Sequence, residues 1–110
     1  MLTWDDVLAI GTALPEVEES TSYGTPALKV RGKLMVRLRG EDGLLVVMCH
    51  LDEKEAMLAS GDPAFTTTAH YDGYPSILVD LTKIPHGQLT ELVEEAWRIK
   101  APARLRARLE

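Results

Sequence analysis

The stretch PALKVRGKLMVRLRG, Pro26 to Gly40, reads as a β-hairpin, and the rest of the chain is placed around it. Leu28, Val30, Leu34, Val36 and Leu38 all stand at even positions, so a period of two puts the apolar residues of each arm on one side. Arg31-Gly32-Lys33 is then the bend. A two-residue loop would set Val30 opposite Lys33 and make the apolar faces disagree. A three-residue loop pairs Val30 with Leu34 and Leu28 with Val36, so that both arms bury one face. The solvent face carries Lys29, Arg37 and Arg39, with Arg31 and Lys33 at the tip.

That hairpin is a basic island in an acidic chain. The formal net charge is -5, yet residues 27 to 40 hold five bases and no acid, flanked by residues 1 to 26 with five acids and no base. Residues 41 to 65 hold six acids against one base, and the remainder balances. Affinity for nucleic acid in general comes from neutralised phosphates, so the overall charge opposes it and local potential must do any steering. The 110 residues are read as one domain, 1–110, with a single core. The longest apolar run, Leu44 to Cys49, is too short for a membrane span, and no basic segment followed by an apolar one opens the chain. A cytoplasmic protein without a membrane partner is expected. Cys49 is the only cysteine, so no internal disulfide can form, and its apolar setting reads as a buried thiol.

Around the hairpin, Thr3 and Asp6 mark the start of a helix with Trp4, Val7, Leu8, Gly11 and Leu14 on one stripe, ended at Pro15. Glu16 to Tyr23 follows as a polar strand or extended edge whose acids suit pairing with the basic hairpin. Leu44 to His50 is the most apolar strand and belongs at the sheet centre. Asp52, with Glu55 three residues on, predicts a capped short helix ended by Gly61-Asp62-Pro63. Phe65 to Tyr71 and Tyr74 to Leu81, joined by Asp72-Gly73, predict a second hairpin, weakened by Pro75. Pro85-His86-Gly87 opens a long helix with Leu89, Leu92, Val93, Ala96 and Trp97 at helical spacing, and Pro102 starts a short terminal one. Strands and helices do not alternate as crossovers, so the class is α+β on a mainly antiparallel sheet. The expected core is Trp4, Val7, Leu8, Leu28, Val30 and Leu34, then Val36, Leu45, Val47, Ile77 and Val79, then Leu92, Val93, Ala96 and Trp97.

Four stretches, LPEVEEST, YGTPALKVRGKLMVRL, HYDGYPSILVDL and LVEEAWRIKAPARL, resemble the MmcQ/YjbR family over nearly the whole chain. The resemblance implies an α-β(3)-α-β(2)-α domain, with helices packed on an antiparallel sheet, of the kind also seen in secretion chaperones. It also implies a DNA-binding role, family hairpins being likened to a pair of wings.

The residues themselves favour binding over catalysis. No nucleophile stands with a base and an orienting group, and Glu16, Glu18 and Glu19 read as a solvated edge. No catalytic residue is assigned. His50, His70 and His86 are scattered without metal-ligand spacing, and phosphate-cradling glycine loops are absent, so neither metal nor cofactor is expected. His70 and Asp72 flank a tight turn and are candidate pocket residues. Lys29, Arg31, Lys33, Arg37 and Arg39 are the candidate contacts to duplex DNA, through phosphates. No aromatic is interleaved with these bases, which argues against stacking on single strands. A chaperone-like module for a protein or peptide partner is the alternative, with a small-molecule site behind it. No heptad seam is present, so a monomer is expected.

Overall fold

The computed structural model describes residues 1–109. The Asp6 carboxylate accepts a 2.8 Å hydrogen bond from the Thr3 backbone N–H and so opens α1 (Trp4–Thr12) where the sequence predicts a helix start. The chain turns at Pro15-Glu16 into β1 (Val17–Ser22), β2 (Thr25–Val30), β3 (Lys33–Leu38) and β4 (Leu45–Met48). Then come α2 (Leu51–Ala59), β5 (Phe65–Thr66), β6 (Ser76–Val79), α3 (His86–Lys100) and the short α4 (Ala103–Arg106). The six strands form one sheet in the order β1-β2-β3-β4-β6-β5, every neighbouring pair antiparallel. The α+β class and the antiparallel sheet stand as read. Four strands precede α2, where the resemblance implied three.

Strand register sorts the side chains into two faces. Glu19, Leu28, Val36, Val47 and Ile77 lie opposite one another across five strands, and the next row is Ser20, Ala27, Arg37, Val46, Leu78 and Thr66. Successive residues point to opposite sides, so these rows face opposite ways. The first row meets α3, which crosses β3 and β4, and α1, which packs on β1 and α3. Leu28, Val36, Val47, Ile77, Val93 and Trp97 are fully buried there. Trp97 also donates its indole N–H to the Pro15 carbonyl oxygen at 3.0 Å, fastening α3 to the end of the α1 segment. Trp4, Leu8 and Leu92 pack half-buried on the rim of this core. Burying side chains of this size contributes about 1.5–3 kcal/mol each.

Three expectations are corrected. The first hairpin has a two-residue loop: Val30 lies opposite Lys33 and Lys29 opposite Leu34, with Arg31 (φ 50) and Gly32 (φ 79) both left-handed as a tight primed turn requires. A register shift between Leu28 and Lys29 then restores the pairing of Leu28 with Val36. Met35 is the extra residue of this bulge and is fully buried. The bulge resolves the conflict that argued for a longer loop, and it turns Leu34 away from the core and onto the open face. Secondly, the Asp72-Gly73 hairpin does not form. β5 and β6 pair only at Phe65 with Val79 and Thr66 with Leu78, and residues 67–75 make a folded loop closed by turns such as Tyr74 N–H to Tyr71 O at 3.0 Å. Thirdly, α2 begins one residue before Asp52, with His50 as its cap residue, and Asp52 lies in the first turn. Its carboxylate accepts only the adjacent Glu53 N–H, at 2.9 Å.

Candidate functional site

The face of the sheet turned away from α1 and α3 carries a groove of about 1000 Å³. Its floor is Leu34, Arg37, Val46, Met48 and Ser76, its walls are the β1–β2 turn, the β3–β4 loop and the loop 67–75. Tyr23 stands on one side, with His70, Tyr71 and Tyr74 on the other. Aromatics that are far apart in the sequence are thus interleaved with the arginines, which corrects the expectation that none would be.

Arg37 is at the centre. Strand alternation aims it into the groove between Ala27 and Val46, and its Nη2 donates to the Tyr71 hydroxyl at 2.6 Å. Its guanidinium also lies 5.2 Å from the centroid of the Tyr23 ring. Among the described residues no carboxylate lies within ion-pair distance of it. Tyr23 is 90% exposed and has φ 54, a backbone region that bulky side chains rarely adopt. The Tyr23-Gly24 turn therefore holds an aromatic ring in water, over a cation, at a conformational cost.

Arg39 is deeper and better compensated. Its Nε donates to Glu41 at 2.8 Å, Asp42 lies 3.4 Å from Nη2, and the guanidinium sits 5.3 Å from the Tyr71 ring centroid. Burial opposes its charge, but the Glu41 hydrogen bond and the charges of Asp42, Glu41 and Tyr71 together outweigh it and raise the already high pKa. Its Nη1 is buried with no acceptor among the described residues. The loop that brings Tyr71 and Tyr74 is held from beneath by Lys54 of α2, a buried lysine whose Nζ donates to Tyr71 O at 2.6 Å and Tyr74 O at 2.9 Å. Lys54 was not singled out from the sequence. Its signal there is that it is the one base among six acids in residues 41 to 65.

The remaining candidates are dispersed. Lys29 lies on the open face with Glu18 as its neighbour on β1, and Lys33 is exposed at the tip and turned the other way. Arg31 is engaged: its Nε and Nη2 bond the two oxygens of Glu16 at 2.7 and 3.1 Å, and Arg108 joins the same carboxylate at 3.0 Å. The Arg31 bond chiefly holds the Glu16 carboxyl below its ordinary pKa. Of the candidate pocket pair, His70 is a wall of the groove and makes an edge-to-face contact with Tyr71. Asp72 is not a wall, because it sits on the outer turn of the loop. His50 and His86 stand apart from the groove, at the starts of α2 and α3. Among the described residues no three His, Cys, Asp or Glu side chains converge as a metal would need, and no helix is long and apolar enough to cross a membrane.

These features define an α+β protein whose six-stranded sheet is closed by helices on one face and opened into an arginine–tyrosine groove on the other. The chain belongs to the YjbR family, whose model matches residues 12–99. It is 34% identical over 120 residues to the uncharacterized proteins Rv2570 of Mycobacterium tuberculosis and Mb2600 of Mycobacterium bovis, covering 96% of this chain and 93% of each relative. The crystal structure of Deinococcus radiodurans protein DR2400, a DUF419 domain, superposes with a TM-score of 0.79 at 19% identity, covering 99% of this chain and 88% of that one. That likeness concerns the fold.

Proposed function

We propose that the protein is a non-enzymatic binding module that contacts nucleic acid, DNA included, through the open face of its sheet. The observation that carries this reading is Arg37: a half-buried cation without a carboxylate partner among the described residues, set between two tyrosine rings at the centre of the groove. Lys29 on the same face is likewise outside any ion pair among the described residues, so about two cations of this face stand ready for phosphate, Lys33 being turned the other way. Arg31 and Arg39 are matched by acids and add little. The interface thus moves from the hairpin tip to the face behind it.

Two neutralised phosphates give a slope of the logarithm of affinity against the logarithm of salt of about -2 on a duplex and about -1.4 on a single strand. Fluorescence anisotropy with labelled DNA at low and physiological salt tests this. Replacing Lys29 and Arg37 together by Gln is expected to weaken binding and to flatten the duplex slope by about 2, with the fold checked by circular dichroism. Absence of binding by the wild type at low salt overturns the reading.

A second reading rests on β1. Among the described residues this strand pairs only with β2, so its outer backbone edge can take an extended peptide, and Glu18 and Glu19 would select a basic one. Protection of the β1 amides from hydrogen exchange on adding a partner peptide would support it. Protection confined to the groove would count against it.

A further inference from the structure

The geometry points to a groove that takes an unpaired base with its adjoining phosphate, so that the ligand is single-stranded nucleic acid in preference to duplex. This rests on the nucleic-acid reading above and narrows it. Three observations lead there. Tyr23 and Tyr74 are 90% and 60% exposed on the groove walls, leaving ring faces open to a flat partner. Tyr23 is held in a left-handed backbone conformation that its side chain disfavours, so the exposed ring is not an accident of a relaxed turn. The Arg37 guanidinium lies over one face of that ring, 5.2 Å from its centroid, and has no carboxylate partner among the described residues, which places a cation beside a base stacked on the ring's other face.

The chemistry selects the strand. In a duplex each base has both faces covered by its neighbours, so a tyrosine gains nothing without unstacking a pair. In a single strand the base face is free, and an aromatic platform beside a cation engages ring and phosphate together. The groove is also concave, with Leu34, Val46 and Met48 beneath, which suits one ring and its sugar better than the cylindrical surface of a double helix.

Tyr23→Asn is the discriminating variant. Asparagine is at ease in the left-handed region, so the turn is kept or relaxed while the ring is lost. Anisotropy is measured for wild type and Tyr23→Asn on a labelled single strand and on the duplex formed with its complement, at one salt concentration. The single strand is expected to bind more tightly to the wild type, and the variant to lose about five- to hundredfold on it, the scale of one lost base–aromatic stack, and clearly less on the duplex. Tighter duplex than single-strand binding, or an equal loss on both, overturns the inference and leaves the general nucleic-acid reading in place. Failure of the wild type to bind either ligand ends both.

Discussion

Gly11 sits where α1 comes closest to the sheet: a Cβ there would collide with Leu28 Cδ1 and meet Val93 Cγ1 at 3.8 Å. Alanine is the better helix former by about 1 kcal/mol, but Leu28 is fully buried and cannot swing aside, and overpacking costs about 1–3 kcal/mol. Gly11→Ala is therefore expected to lower the urea midpoint, and a rise would mean that the Leu28 methyl has room to move. Cys49 gives a second test. Burial pushes its thiol up from 9.0 to about 11, with Lys54 opposing the shift. A thiol with a raised folded pKa contributes stability that is complete below 9.0 and is lost as pH rises through about 11. Stability measured across that interval should fall in the wild type and stay flatter in Cys49→Ala, which starts lower because of the cavity. Equal slopes would show that the thiol is not the group titrating.

At the scale of elements, the segments with long, regular patterns were legible and the others were not. α1 and α3 follow from stripes of apolar residues, and Trp97 could be placed in the core from spacing alone. The β2–β3 hairpin was recognisable, but its bulge was not, since a period of two does not reveal which residue will be left unpaired. Asp72-Gly73 has the chemistry of a tight hairpin turn, yet Pro75 has no N–H for a ladder, and β6 starts only at Ser76. What replaced the hairpin is the loop 67–75, and its shape depends on Lys54, a contact no local pattern announces. The groove was hidden for the same reason: Tyr23, Tyr71 and Tyr74 meet Arg37 and Arg39 only after the sheet has formed. Lys54→Met keeps the bulk and removes one of the two donors of each carbonyl oxygen, leaving Tyr71 O the Tyr74 N–H and Tyr74 O the Ser76 N–H. Each hydrogen bond lost from a charged donor costs about 1.5–3 kcal/mol, so faster amide exchange in residues 67–75 and a lower melting temperature are expected. Unchanged exchange would show that other contacts hold the loop.

Over the whole molecule, acidic and basic blocks separated in sequence are folded against one another, and Glu16 is where three of these regions meet. It follows α1, has φ 57, and binds Arg31 from the hairpin tip, 15 residues on, and Arg108 near the end of the described chain, 92 residues on. The block pattern of charge was plain in the sequence, but which cations would be spent on acids was not, because Arg31 and Lys33 are indistinguishable there and only one of them reaches Glu16. The Arg31 hydrogen bond lowers the Glu16 pKa below its ordinary 4.5, partly offset by desolvation, with smaller charge contributions from Arg31 and Arg108. A depressed carboxyl contributes stability above its unfolded value and loses it as pH falls through the folded value, so the contribution should be complete near neutrality and vanish in acid. The site is exposed and salt will screen it, so the effect will be modest. Glu16→Gln keeps the size and the left-handed backbone while removing the charge. The difference in melting temperature between wild type and Glu16→Gln should therefore be largest near neutral pH, shrink with added salt, and close below pH 4.5. A difference that persists unchanged into acid would mean that Glu16 acts through its turn geometry, and that the ion cluster does not hold the hairpin tip to the C-terminal segment.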